Sequence, residues 1–235
     1  MATTKLLRPR IHTYVQPKTL TPHHQRRNFF DTLSSLANPL STSAPQTLTA
    51  SRTLPYPHLP IYTIIADISS YSAFVPYCQS SLVTAWSSPD KVYNKRWPSE
   101  AEVTVGWGSL TEKYISQQFC VPGRVVESIG GSVTTSLSKD EITHHLEGRS
   151  DSERKRSNGG ESLLSHLRSK WTVESLDASK THVRLDLEFA FANPLYATLS
   201  AGVAPKVADL MVQAFEGRVD ALLKHRPELT GNKLG

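Results

Sequence analysis

The segment from 182 to 191 constrains the fold of this chain more than any other feature of its sequence. Apolar and polar side chains alternate along it. The apolar positions are Val183, Leu185, Leu187, Phe189 and Phe191, and the charged ones are Arg184, Asp186 and Glu188. Because successive side chains of a β-strand point to opposite faces, this period of two predicts a strand with one apolar and one solvated face. The chain must therefore build a sheet that covers an apolar interior.

Other segments with strand-like patterns precede this one, and tight turns join several of them. Gly108-Ser109 and Pro122-Gly123 each separate two such segments, and short turns of this kind connect antiparallel neighbours. The predicted strands cover residues 48–55, 82–86, 101–107, 111–121, 124–129 and 163–176.

Helical spacing of apolar residues occurs near the start of this region. Residues 58–70 carry apolar side chains three and four positions apart, and Pro60 stands in the first turn, where a helix tolerates proline. A short second helix is expected over 71–75, ending at Pro76.

A long helical region is predicted after Asn193-Pro194. It carries a broad apolar stripe up to Leu222, and Gly202 and Pro205 are expected to kink or divide it. One twisted antiparallel sheet and one long helix make a two-layer α+β domain. If the sheet curves strongly, the helix bridges its mouth and leaves an apolar cavity for a ligand.

The stretch 130–162 interrupts these patterns. It is rich in Ser, Gly and charged residues and includes the basic triplet 154–156, which Asp151 and Glu153 dilute. We interpret it as a flexible surface insertion, since long loops of this composition do not pack. The triplet lacks the interleaved aromatic residues that bind nucleic acid by stacking.

The positive charge of the chain is concentrated at its N-terminus. Residues 1–30 contain six of the 26 Lys and Arg residues and no acidic residue, which leaves 20 basic residues against all 21 Asp and Glu residues in the remainder. Such a leader is typical of mitochondrial targeting, and the nearly neutral body argues against nucleic-acid binding. The predicted organisation is a leader at 1–30, a linker at 31–47, a domain at 48–225 and a tail at 226–235.

Reactive constellations are not evident in the sequence. Cys78 and Cys120 are 42 positions apart and signal neither a zinc site nor a disulfide framework. His144, His145 and His166 lack a further ligand at fixed spacing, so no metal site is predicted. No run approaches the ~18 apolar residues that span a bilayer, so any membrane contact is expected to be peripheral.

Four ordered blocks resemble the mitochondrial coenzyme Q-binding proteins, which are START-like relatives of the bacterial polyketide cyclases. Residues 65–78 (IADISSYSAFVPYC) resemble the helix and turn signature of that family, and residues 105–114 (VGWGSLTEKY) resemble its strand pair. Residues 189–196 and 214–218 supply the other two blocks. The chain departs from the family at Tyr77, where a Trp is usual, and in the length of 130–162.

The resemblance implies a helix-grip fold, in which a curved antiparallel sheet wraps around a long C-terminal helix. It also implies a cavity for ubiquinone or its precursors, peripheral contact with the matrix side of the inner mitochondrial membrane, and a supporting role for the quinone biosynthesis and respiratory complexes. No cofactor is expected apart from ubiquinone as a bound ligand. The residues expected to line the cavity are Phe74, Val75, Pro76, Tyr77, Val105, Trp107, Leu110, Tyr114, Trp171, Phe189, Phe191, Leu199, Met211 and Phe215.

Three functions are compatible with such a cavity. The favoured one is a carrier or chaperone without catalytic residues, in which the turn at 74–76 and the C-terminal helix admit the quinone, and Tyr77, Trp107 or Tyr114 holds its head group. The alternative is a cyclase- or aromatase-type enzyme in which Tyr114, Glu112 or Asp67 moves a proton. In the third, the protein acts mainly through partners that contact the loop at 130–162.

Overall fold

The computed structural model describes residues 45–107, 110–147, 164–193 and 204–224. Within them the strands are β1 (Gln46–Leu54), β2 (Cys78–Trp86), β3 (Pro98–Trp107), β4 (Leu110–Val121), β5 (Val125–Gly131), β6 (Leu164–Ser175) and β7 (Thr181–Phe191). The helices are α1 (His58–Ala66), a 3-10 helix (Ile68–Ala73), α2 (Thr143–Leu146) and α3 (Ala204–Leu223).

The strands form one antiparallel sheet in the order β1-β7-β6-β5-β4-β3-β2. Strands β2 to β7 lie beside their sequence neighbours, as the tight turns predict, whereas β1 pairs with β7 from Gln46 opposite Phe189 to Leu54 opposite Thr181. Each strand predicted from the alternating pattern is present. The α+β class, with a curved antiparallel sheet and a long C-terminal helix, is confirmed.

The concave face of the sheet packs against α1 and α3. The apolar set of the 182–191 segment faces this interior, since Val183, Leu185, Leu187 and Phe189 are all buried. The buried residues of α3 recur every three or four positions, at Ala208, Val212, Phe215, Val219 and Leu223. That spacing places them on one helix face, which shares a core with Ile61 and Ile65 of α1 and Trp171 of β6.

The first half of the 130–162 stretch corrects the sequence interpretation. Residues 130–147 do not form a solvated loop: Ile142 is 1% exposed and packs with Phe119 and Val125 on the outer face of the sheet. The buried Glu127 of β5 accepts hydrogen bonds from the Thr135 and Ser136 hydroxyls. The apolar residues that anchor this segment have no regular period, so the pattern analysis missed them. Residues 148–162 lie outside the described part.

His145 binds the backbone of β4 beyond the end of its pairing with β3, which runs only to Glu100 opposite Gln117. Its Nε2 accepts a hydrogen bond from the backbone N–H of Cys120 at 2.9 Å, and its Nδ1 lies 2.7 Å from the Ser99 hydroxyl. His145 is 1% exposed, so it belongs to the packed structure.

The first helical region ends earlier than predicted. α1 stops at Ala66, and Asp67 accepts hydrogen bonds from the Ser69 hydroxyl at 2.8 Å and the Ser70 hydroxyl at 2.5 Å. The backbone N–H of Ser70 donates to the carbonyl of Asp67 at 3.1 Å, and this three-residue spacing makes a 3-10 helix in place of continued α-helix.

Several predictions fall on parts of the chain outside the described residues. These are the leader, most of the linker, the helical start at 194–203 and the tail. Among the residues that are described, no helix combines the length and apolarity that a bilayer crossing needs.

Candidate functional site

A small apolar pocket lies between the concave face of the sheet, α1 and α3. Its walls are Leu54, Ile61, Ile65, Trp171, Val183, Val212, Phe215 and Val219, with Arg52 and Glu216 as its charged members. The cavity between these side chains is about 10 Å³, roughly the room for one water molecule. Ligand pockets usually measure about 300–1,000 Å³, so the structure shows a closed interior that a larger ligand must open.

Two ion pairs join the edge strand to α3 at the rim of this pocket. Arg52 Nε lies 3.7 Å from Glu216 Oε2, and Arg52 Nη2 lies 3.5 Å from Asp209 Oδ1. We call these contacts the rim ion pairs. All three side chains are about one-third to one-half exposed, and ion pairs in that setting contribute only about 0–1 kcal/mol. These ion pairs therefore hold α3 against β1 at the rim only weakly.

Aromatic rings join α3 to the turn that follows α1. The Phe215 ring centroid lies 4.5 Å from that of Trp171, 4.9 Å from that of Phe74 and 5.2 Å from that of Tyr71. The Arg218 guanidinium lies 5.4 Å from the centroid of Phe74. Edge-to-face pairs of this kind add about 0.5–1.5 kcal/mol each beyond burial. Any movement of α3 away from the sheet must separate these rings.

The residues predicted to line the cavity divide among neighbouring clusters. Trp171 and Phe215 line the pocket itself. Phe74, Val75 and Met211 pack against the same core. Four further members belong to adjoining clusters: Phe189 and Phe191 lie beside Met211, and Val105 and Tyr114 lie beside Ile68. Pro76 is half-buried and belongs to neither the pocket wall nor these clusters.

Tyr77 does not belong to the interior in this conformation, and its assignment to the cavity wall needs correction. Its side chain is 42% exposed, and its backbone has a φ of 65°. This left-handed conformation follows the half-buried Pro76 and turns the chain into β2. The side chains of Trp107, Leu110 and Leu199 lie outside the described residues.

Sequence reasoning missed several members of the pocket wall. Arg52 and Leu54 lie on the same face of β1 as Leu48, at every second position. This alternation could have identified them. Val212 and Val219 lie about one helical turn before and after Phe215 on α3. The pairing of β1 with β7, which brings Arg52 to α3, carries no local signal.

Polar side chains form a second feature of the concave face, which the apolar pattern did not reveal. Gln118 of β4, Ser128 of β5 and Ser169 of β6 are direct cross-strand neighbours, and we call them the polar row. Gln118 is 1% exposed. Its Oε1 accepts a hydrogen bond from the Ser128 hydroxyl, and its Nε2 donates to Ser116 Oγ at 2.7 Å.

Buried titratable groups lie beside the polar row. Burial raises the pKa of Tyr62 well above its ordinary value, and the neighbouring Cys120 sulfur raises it further. Burial raises the pKa of the Cys120 thiol to about 12 and that of the Tyr114 hydroxyl well above its ordinary value. These groups are therefore neutral at physiological pH.

A family model described as polyketide cyclase / dehydrase and lipid transport matches residues 54–216. The coenzyme Q-binding protein coq10, mitochondrial, of Schizosaccharomyces pombe is 28% identical over 78% of this chain and 92% of its own length. The ribosome association toxin RatA of Pseudomonas aeruginosa is 26% identical over 73% of this chain and 94% of its own. Among solved structures, a START superfamily protein from Mycobacterium smegmatis superposes with a TM-score of 0.52 at 15% identity, covering 75% of this chain and 98% of the other.

Proposed function

The chain belongs to the polyketide cyclase, dehydrase and lipid transport family, and from that premise we propose that it binds ubiquinone or a ubiquinone precursor. The ligand enters the interior between the concave face of the sheet and α3. The observation that carries this proposal is the apolar pocket beneath α3, whose walls include Trp171 and Phe215. The relative in S. pombe, which is named for coenzyme Q binding, supports the choice of ligand.

The energetics of the interior suit a prenylated molecule. Burial of apolar surface is worth about 25 cal/mol per Å², so each isoprenoid unit that leaves water contributes about 2 to 3 kcal/mol. A few units outweigh the cost of association and of separating α3 from the sheet. The weak rim ion pairs keep that cost low.

We further propose that the protein carries or chaperones the quinone and does not transform it. The acid–base candidates support this: both carboxylate oxygens of Asp67 accept hydrogen bonds from serine hydroxyls, and burial keeps the Tyr114 hydroxyl protonated. A carrier of this kind would contact the matrix side of the inner mitochondrial membrane peripherally and support respiration and quinone biosynthesis.

A cyclase- or aromatase-type enzyme is the second candidate, because the family includes cyclases. It would use the same interior for a reactive ring. Incubation of the purified protein with quinone precursors, followed by mass analysis, separates the two: a carrier returns the precursor unchanged, and an enzyme converts it.

Extraction of the purified full chain with organic solvent tests the binding proposal. Mass spectrometry of the extract should show a prenylquinone in stoichiometric amount. A protein that is reproducibly empty and also fails to take up added ubiquinone would overturn the proposal.

A further inference from the structure

The polar row lies in a part of the interior where a purely structural core would be apolar. Gln118 and Ser116 are each 1% exposed and lie on the same face of β4 as Cys120. Burying an amide costs free energy for each of its groups that is left without a hydrogen bond, and ligand sites place a few polar groups among apolar walls. The row has the composition of such a site.

The register of the sheet places the polar row directly beside the pocket. Trp171, which lines the pocket, pairs with Val126, and Val126 pairs with Cys120. Gln118, Ser128 and Ser169 occupy the next inward-facing positions of the same three strands, two residues away. Two residues of a strand span about 7 Å, so a ligand ring in an opened pocket reaches the row.

The row and its surroundings offer hydrogen-bond donors that lack a strong acceptor. One N–H of the Gln118 amide donates to Ser116, and the hydrogen bonds of the described residues give the second N–H no acceptor. The Tyr62 hydroxyl, in a side chain that is 0% exposed, has no oxygen or nitrogen partner among the described residues, and only the Cys120 sulfur, a weak acceptor, lies beside it. A carbonyl oxygen would be a stronger acceptor for both donors.

We propose that the second N–H of Gln118 and the hydroxyl of Tyr62 donate hydrogen bonds to the carbonyl oxygens of a bound quinone ring. A quinone ring presents only acceptors and carries no charge, which matches two neutral donors. The prenyl tail then extends through the apolar pocket between Trp171 and Phe215 toward the rim. This inference rests on the proposed function and specifies the part of the site that binds the head group.

Binding of two probes to the full chain tests the inference: a short-chain ubiquinone, and a prenyl hydrocarbon of the same length without the ring. Gln118→Leu should weaken ubiquinone binding about three- to tenfold, the value of one hydrogen bond, and leave hydrocarbon binding unchanged. Gln117→Leu is the matched control, because the neighbouring glutamine points to the opposite face of β4. Tyr62→Phe should weaken ubiquinone binding by a similar factor. It provides the same test if Gln118→Leu does not fold.

The frequency of the infrared carbonyl stretch of bound ubiquinone gives a second readout. A change in the stability of the protein does not alter this frequency. In the wild type it should lie below its position in hydrocarbon solvent, and it should return toward that position in Tyr62→Phe and Gln118→Leu. Unshifted carbonyls in the wild type, or wild-type ubiquinone affinity in both variants, would overturn the head-group site. A wild-type protein that binds neither probe would instead overturn the proposed function.

Discussion

Arg52 on the edge strand β1 lies 3.7 Å from Glu216 on α3, and the two side chains stand at the rim of the apolar pocket. The first and last elements of the described fold meet at this contact, although they are more than 150 residues apart in the chain. Because the pair is partly exposed, it holds the helix against the sheet by a small free energy. This relationship makes the rim the part of the molecule where opening is easiest.

Replacing Arg52 by Met should speed the entry of ubiquinone. The variant loses both rim ion pairs, so the free energy of unfolding should change by no more than about 1 kcal/mol, while the uptake rate rises up to about fivefold. Quenching of tryptophan fluorescence after mixing with ubiquinone-loaded vesicles measures the rate. Lys224→Met is the control, since it removes an ion pair to Asp220 at the C-terminal end of α3 and leaves the rim intact. Equal rates in both variants would contradict a role for the rim.

Filling the pocket should block the ligand without unfolding the protein. Val212 is 2% exposed and lines the pocket, so Val212→Phe should weaken ubiquinone binding at least tenfold and cost about 1–3 kcal/mol of stability through overpacking. Gln213→Phe adds the same ring at the adjacent exposed position of α3 and should bind normally. Isothermal titration compares the two variants, and unchanged affinity in Val212→Phe would exclude this pocket.

The stability of the protein should fall in acid partly because of His144. Burial lowers the pKa of this side chain, and its Nε2 has no hydrogen-bond partner in the described part of the chain. Below the ordinary histidine pKa of about 6.5 the unfolded chain therefore binds a proton that the native protein resists. The free energy of unfolding should decrease as pH falls from 7 to 5.

Urea titrations of His144→Gln should show a weaker dependence on pH over that interval. His182→Gln, which changes a partly exposed histidine on β7, serves as the control. A pH profile that His144→Gln leaves unaltered would show that burial of this imidazole does not govern acid sensitivity.

Glu127 should anchor the segment that covers the outer face of the sheet. Its carboxylate is 0% exposed, accepts hydrogen bonds from Thr135 and Ser136, and lies 3.6 Å from Arg168 Nε. Glu127→Ala leaves Thr135 and Ser136 without this acceptor, while Arg168 keeps its ion pair with Glu188, so the substitution should cost about 1–3 kcal/mol. Glu147→Ala, at an exposed position of the same segment, should change stability by about 0.5 kcal/mol or less. Chemical denaturation measures both, and similar small effects would contradict the anchoring role.

The sequence predicts the strands well because the 182–191 segment and its neighbours alternate with a period of two. It also predicts α3, whose apolar stripe has helical spacing. Residues 130–147 could not be predicted in the same way, because Glu127 and His145 hold that segment through contacts that have no period. The pairing of β1 with β7 is long-range and leaves no local signature.

The residues of the candidate site also divide into those that the sequence predicts and those that it does not. Trp171 and Phe215 were predicted to line the cavity, and they line the pocket. Tyr77 was also predicted to line the cavity, but its side chain is 42% exposed and its φ is 65°, a backbone conformation that a residue pattern does not reveal. Gln118 was missed because an isolated polar residue in a strand normally indicates the solvated face, and only the register shows that it faces inward.

Photoaffinity labelling tests the central claim, that a prenylated quinone lies between the concave face of the sheet and α3. The full chain is illuminated with a ubiquinone analogue that carries a photoreactive group on its prenyl tail, with excess ubiquinone as competitor, and the modified peptides are sequenced. We expect competed adducts on β6, β7 and α3, concentrated at inward-facing residues such as Trp171 and Phe215. Competed adducts confined to the outer-face segment 132–147, or adducts that ubiquinone does not compete, would contradict the claim.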